Sequence, residues 1–185
     1  NMHYILFYSF LAFLALNYEK FKKIKKLEFL VFILLLLFLT VRWETGGDFG
    51  PYEDYFDDIK NRPIFDSPLF YVLNVIPYHL NLELITTALL LSLLFLFALF
   101  YSLKKMRHNI YFYLSISFPI LIIVYGMGSI RQGLAMVYFM ISISYQGNKL
   151  IKYTSLLIPI FFHETSIFLI FIYLFSKFFY KKKIY

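Results

Sequence analysis

The sequence predicts an all-α fold, a polytopic transmembrane helix bundle of about seven spans plus a short re-entrant or interfacial helix. Three observations carry that expectation. Hydrophobic residues make up 61% of the 185 positions against 16% charged, and mean hydropathy is +0.69; a soluble domain of this size has too little polar surface to cover so much apolar side chain. The apolar runs are continuous rather than alternating, which suits helices and not the strands of a barrel. The Lys and Arg residues sit in clusters between those runs. The 24 Phe and 17 Tyr beside one Trp suit lipid-facing and interfacial positions. A formal net charge of +7 would suggest nucleic acid in a soluble protein. Here the charge lies in short loops and reports topology, so no nucleic-acid partner is expected. The absence of cysteine excludes disulfide and thiol chemistry.

Taken in order, Tyr4 to Leu16 is a modest apolar run that gains useful length by extending to about Tyr18. It lacks a small-residue cleavage site, so it is expected to be a first span rather than a removed signal. Lys20, Lys22, Lys23, Lys25 and Lys26 follow, which makes this loop cytoplasmic and places the N-terminus outside. Leu27 to Val41 then exits outward, into an extracytoplasmic loop at 42–66 that holds seven of the 11 acids. Ser67 to Leu80 is apolar but short and carries Pro68 and Pro77, as a re-entrant or interfacial helix would. Leu82 to Leu103 is a clear span ending at Lys104, Lys105 and Arg107. Ile110 to Gly126 returns outward with a kink expected at Pro119, and Gly126 to Ser129 reads as a flexible break before a helix from Ile130 to about Tyr145. Lys149 and Lys152 mark another cytoplasmic turn. Tyr153 to Ser176 is long enough for one span and short for two. Yet Lys177, Lys181, Lys182 and Lys183 repeat the cytoplasmic signature, so a hairpin meeting near His163 and Glu164 is preferred. Residues 1–185 form a single transmembrane domain, with the C-terminus of this chain inside.

The stretch from Arg42 to Phe56, RWETGGDFGPYEDYF, is the most polar in the chain. Gly46, Gly47, Gly50 and Pro51 favour turns, so it is expected to form a loop at a membrane exit. On this topology Arg42, Asp48, Arg131, Gln132, His163 and Glu164 all lie at the outer ends of helices. An arginine at membrane depth costs about 2.5 to 3.5 kcal/mol on insertion scales, so it faces protein, water or a partner. The ordinary alternative for Arg131 is a salt bridge to Asp48 or Glu164, or snorkelling to the interface. The functional one is anion binding, since a guanidinium fork matches phosphate oxygens and the helix start beside it offers free backbone N–H groups. Arg42 is equally ordinary as a base flanking a span; two arginines at one site would suit a diphosphate. His163 interrupts an apolar run and is either a satisfied core histidine or an acceptor for a hydroxyl proton. Glu164, Thr165 and Ser166 read as a cap for the helix that follows. Asp48 is a second candidate base, although glycine-flanked Asp is also common turn chemistry. Tyr52, Tyr55 and Phe56 could stack on a sugar ring or anchor an amphipathic segment at the interface. Glu53, Asp54, Asp57 and Asp58 fit a solvated helix face better than a cation site, and no metal or cofactor is expected.

The order of these residues resembles the EpsG/Wzy-like family of bacterial exopolysaccharide and O-antigen polymerases. The resemblance rests on Arg42 with GGDFGPYEDYF after a second span, then SIRQGLA (Ser129 to Ala135) and FFHETSI (Phe161 to Ile167). Within those motifs Asp48 and Tyr52 fit the loop spacing, and Arg131, Gln132 and His163 fit the rest. The resemblance covers the N-terminal half of a member or somewhat more, so the chain is expected to be part of a longer protein. It implies a glycosyltransferase in the cytoplasmic membrane, acting at its outer face on undecaprenyl-diphosphate-linked glycan, with membrane lipid around it and a chain-length regulator as a candidate partner. Arg42 and Arg131, with Gln132 and Tyr52, would bind substrate, and His163 or Asp48 would take the hydroxyl proton. The competing expectations are a transporter or flippase for a lipid-linked or anionic solute, a membrane O-acyltransferase, and an inactive truncated remnant.

Overall fold

The computed structural model describes residues 2–41, 49–62, 67–106 and 109–182, and among these the chain is helical with no strand. α1 (Met2–Leu16), α2 (Tyr18–Phe21) and α3 (Lys25–Thr40) come first, then α4 (Phe49–Asp57), a 3-10 turn at Ile59–Asn61 and α5 (Pro68–His79). α6 (Leu84–Lys105) is followed by α7 (Ile110–Ser117), which continues as a π-helix over Phe118–Gly128. Next are α8 (Ile130–Ser144), α9 (Lys149–Ser155), α10 (Ile158–Phe162) and α11 (Ser166–Lys182). The described residues have the all-helical make-up of a helical membrane protein. Leu84–Lys105 and Ile110–Gly128 are long and apolar enough to cross a membrane, whereas Met2–Leu16, Ile130–Ser144 and Ser166–Phe179 are apolar but shorter. Where about seven spans were expected, the described residues hold two helices of full spanning length and several shorter apolar ones. The 15 residues of α8 rise only about 22 Å, against a hydrocarbon core of about 30 Å.

The core gathers on α6, where Leu91, Phe95, Leu96, Leu99 and Leu103 are buried. α3 runs antiparallel to it: Lys104 Nζ lies 2.6 Å from Glu28 Oε1, and the Phe32 ring sits 5.1 and 5.2 Å from Phe97 and Phe100. α8 runs parallel to α6, with Gly133 beside Phe95 and Tyr138, Ile141 and Tyr145 sharing a groove with Ala98 and Tyr101. Leu84 to Phe95 spans about 16 Å of rise and Phe95 to Lys105 about 15 Å. The start of α8 thus lies near the mid-length of α6, not level with its first residue. α5 occupies the remaining half. It begins near Arg131 and ends in a Schellman motif, with Leu82 N–H donating to Pro77 O at 3.0 Å and Asn81 N–H to Tyr78 O at 3.1 Å. Asn81 takes the left-handed conformation that this cap requires, at φ 52°.

Two local expectations change, and the preferred hairpin at the end of the chain is found. Gly50 and Pro51 do not hold residues 49–57 in a loop, because they fall in the first turn of α4, where proline needs no N–H partner. The part of the polar stretch holding Arg42 and Asp48 lies outside the described residues. Gly126 and Met127 do not form a flexible break; both are buried in the π-helix, which closes with Ser129 N–H on Val124 O at 2.9 Å. Its start at Phe118 and Pro119 fits the loss of the proline N–H, which removes an α-helical bond and favours a wider turn. The run after Lys152 is a hairpin. α9 and α10 climb along α8 to His163, and α11 returns until Lys177 Nζ reaches Tyr153 Oη at 3.0 Å.

Polar side chains hold the helix ends. Asn109 caps α7 by accepting from Phe112 N–H at 3.1 Å, while its amide donates to Ala15 O at 3.0 Å and ties α7 to α1. Lys152 Nζ donates to Ile143 O and Tyr145 O at 2.9 and 3.1 Å, satisfying carbonyls at the end of α8. Glycine governs the closest approach: a Cβ at Gly133 would lie 2.8 Å from Tyr125 O and 3.2 Å from Phe95 Cε2. Gly133→Ala is therefore expected to destabilise the protein by about 1–3 kcal/mol, since backbone must move to admit the methyl group. At Gly128 a Cβ meets nothing within 4 Å, so Gly128→Ala should leave stability unchanged or slightly raised. Thermal unfolding of the two variants in detergent, side by side, measures the contrast.

Candidate functional site

Arg131 stands on the first turn of α8, half-buried. Its guanidinium carbon lies 5.4 Å from the centroid of Phe70 and 5.9 Å from that of Tyr52. Phe70, at the start of α5, is 1% exposed and is also met by Tyr52 at 5.6 Å and Tyr55 at 5.3 Å. The register of α4 produces this arrangement: Tyr52 and Tyr55 are three residues apart on one helix and therefore share a face. Arg62 lies 5.5 Å from the Tyr55 ring, so a second cation borders the same aromatic cluster. Among the described residues no carboxylate reaches Arg131 within ion-pair distance. Of the two salt bridges anticipated from sequence, the one to Glu164 is not formed and Glu164 is exposed, while Asp48 lies outside the described residues; among the described residues, aromatic faces are what meets the guanidinium.

Gln132 and His163 meet in a cavity of about 230 Å³. Thr165, Ser166 and Tyr125 contribute further polar groups to its wall, and Met136 and Phe168 are among the apolar ones. His163 lies in the turn between α10 and α11, outside both helices, with extended backbone. Its Nδ1 accepts from the Thr165 backbone N–H at 3.3 Å and is 2.7 Å from Thr165 Oγ1. The Ser166 hydroxyl donates to His163 O at 2.7 Å. The capping expected of residues 164–166 thus falls partly to the imidazole itself, which satisfies an amide at the start of the returning helix. Burial holds the His163 ring below the usual histidine range, the Arg131 charge presses in the same direction, and Glu164 opposes them. Burial and Arg131 together favour the neutral ring.

The structure brings together four of the six residues singled out from sequence: Tyr52, Arg131, Gln132 and His163. Arg42 and Asp48 lie outside the described residues. Sequence reasoning missed Phe70, whose only signal was its place two residues after Pro68 at the start of a short helix, and the bond from Thr165 to the imidazole. A larger groove of about 630 Å³ lies at the other end of α3 and α6, beside the Glu28 and Lys104 pair. It is walled by Phe29, Phe32, Phe97 and Phe100 and holds none of the candidate residues. Among the described residues no group of three His, Asp or Glu side chains is placed to hold a metal ion.

The electrostatics give a signed expectation. Arg131→Ala removes a cation and should raise the midpoint of His163 toward the ordinary histidine value; Glu164→Gln removes a stabilising anion and should lower it further. Titration of ¹⁵N-labelled histidine by NMR, with His163 assigned from its substitution, reads both shifts.

Comparison with known proteins bears on the same residues. No curated protein and no solved structure matches the chain. The family model described as EpsG family matches residues 25–185, from α3 to the C-terminal end and across every candidate position from Arg42 to His163. The chain belongs to the EpsG family.

Proposed function

We propose that this protein is a polymerase-type glycosyltransferase that joins undecaprenyl-diphosphate-linked oligosaccharide repeat units at the outer face of the bacterial cytoplasmic membrane. The observation that carries the reading is Arg131: a cation without a described carboxylate partner, set beside the cavity shared by Gln132 and His163. Family membership supports the coarser part, a membrane protein of polysaccharide biosynthesis. In this reaction a sugar hydroxyl of one repeat unit attacks the anomeric carbon of another. A new glycosidic C–O bond forms, the bond from that carbon to the diphosphate breaks, and the lipid diphosphate leaves with its electrons.

Charge develops on the departing diphosphate, and preorganised cations aimed at that charge are the main source of acceleration. Arg131 fits that task, and Arg42 is proposed to share it. Gln132 supplies an amide toward the cavity, and Tyr52 both supports Arg131 and offers a ring face to a sugar. The proton of the attacking hydroxyl needs an acceptor, for which the sequence supplies His163 and Asp48. A transporter or flippase for a lipid-linked anion is the second reading. It is favoured by the interrupted helices, the π segment after Pro119 and the break between α9 and α10 before Pro159.

The polymerase reading is tested with membranes supplied with a lipid-diphosphate-linked oligosaccharide. Arg131→Ala should lower the rate of chain lengthening by about 100-fold while the protein still inserts. Arg131→Lys should recover little, because an ammonium lacks the planar fork. Unchanged product length in Arg131→Ala rejects the proposal, and movement of the lipid-linked glycan across vesicles with no change in its length selects the transporter.

A further inference from the structure

We infer that His163 serves the site as a hydrogen-bond donor through Nε2–H, directed to an oxygen of the bound substrate, and that Thr165 is the positioning residue that fixes the ring in this form. The inference rests on the polymer-forming reading above and narrows one role within it. Nδ1 receives the Thr165 backbone N–H at 3.3 Å. A backbone amide nitrogen has no acceptor capacity, so Nδ1 must present its lone pair and carry no proton. The Thr165 hydroxyl, 2.7 Å from the same nitrogen, is then also a donor to it. A neutral imidazole holds one N–H, and with Nδ1 bare that proton belongs to Nε2.

Two further features agree with the assignment. The ring sits at the start of α11, where unpaired amides and the helix dipole disfavour an added positive charge. A neutral histidine in that setting is a known electrophilic hydrogen-bond donor rather than a base. No described residue pairs with Nε2, and His163 lines the same cavity as Gln132 of α8. The cavity wall thus offers two donors, an amide and an imidazole N–H, close to the Arg131 charge. Such a set suits an oxygen-rich ligand, either the diphosphate or the hydroxyls of the adjoining sugar. The proton released by the attacking hydroxyl then needs an acceptor other than His163.

The test uses the full chain in lipid nanodiscs with ¹⁵N-labelled histidine, the His163 signals being those lost in His163→Gln. At neutral pH the donor form requires a proton directly bonded to Nε2 and none on Nδ1; a proton found on Nδ1 overturns the inference, whatever the protein's activity. A second arm measures chain lengthening. His163→Gln, whose side-chain amide N–H can stand in for Nε2–H, should stay within about tenfold of the unaltered protein, whereas His163→Ala should lose about 100-fold. Equal losses in the two variants overturn the donor role and leave the polymerase reading in place. No polymer from the unaltered protein overturns that reading and the donor role with it.

Discussion

The guanidinium of Arg131, held over Phe70 and Tyr52, is the interaction on which the other features depend. An arginine at membrane depth costs about 2.5–3.5 kcal/mol on insertion scales. A cation over an aromatic face recovers about 0.5–1 kcal/mol where exposed and about 2 kcal/mol where desolvated, so two faces approach the cost, and a ring, unlike a carboxylate, does not itself neutralise the charge. That distinction matters chemically. A carboxylate partner would stabilise the arginine equally well but would compete with any anion for it, whereas a ring leaves the N–H edges of the guanidinium available. The helices that supply the rings follow from this requirement: α4 presents Tyr52 and Tyr55 to one side of Phe70, and α5 carries Phe70 to the start of α8.

A second constraint fixes where α8 can begin. Gly133 allows its backbone to lie against Tyr125 O and Phe95, and nothing larger fits without displacing main chain. The π-helix that provides Tyr125 is the widened continuation of α7 beyond Pro119. Position along α8 is thus set by contact between two backbones rather than by side chains that could repack. Arg131 and Gln132, two and one residues before the glycine, inherit that placement. The same contact sets their level, near the mid-length of α6, with α5 covering the half of α6 that α8 does not reach.

Much of this was legible in the residues. The apolar runs located α1, α3, α6 and α8 to within a few positions, and the lysines after Ser176 required the hairpin at His163. The Arg-Gln and Phe-His motifs identified side chains that do share one region. Other features were not readable, for physical reasons. Gly50 and Pro51 look like breakers by composition, yet the first turn of a helix tolerates both, and only the position of the helix start distinguishes the cases. The break between α9 and α10 was not readable, because hydropathy counts apolar residues without registering where a backbone bond is lost. Phe70 was invisible as one phenylalanine among 24; its role comes from what surrounds it in space.

The turn at His163 binds chemistry to architecture. One nitrogen of the ring closes the start of α11, a cap of the kind whose loss costs about 1 kcal/mol, while the residue also forms part of the cavity wall. Evolution therefore has little latitude at this position. Asparagine reproduces the reach of the capping atom and glutamine that of the far nitrogen, but among the uncharged side chains only an imidazole spans both ends at once.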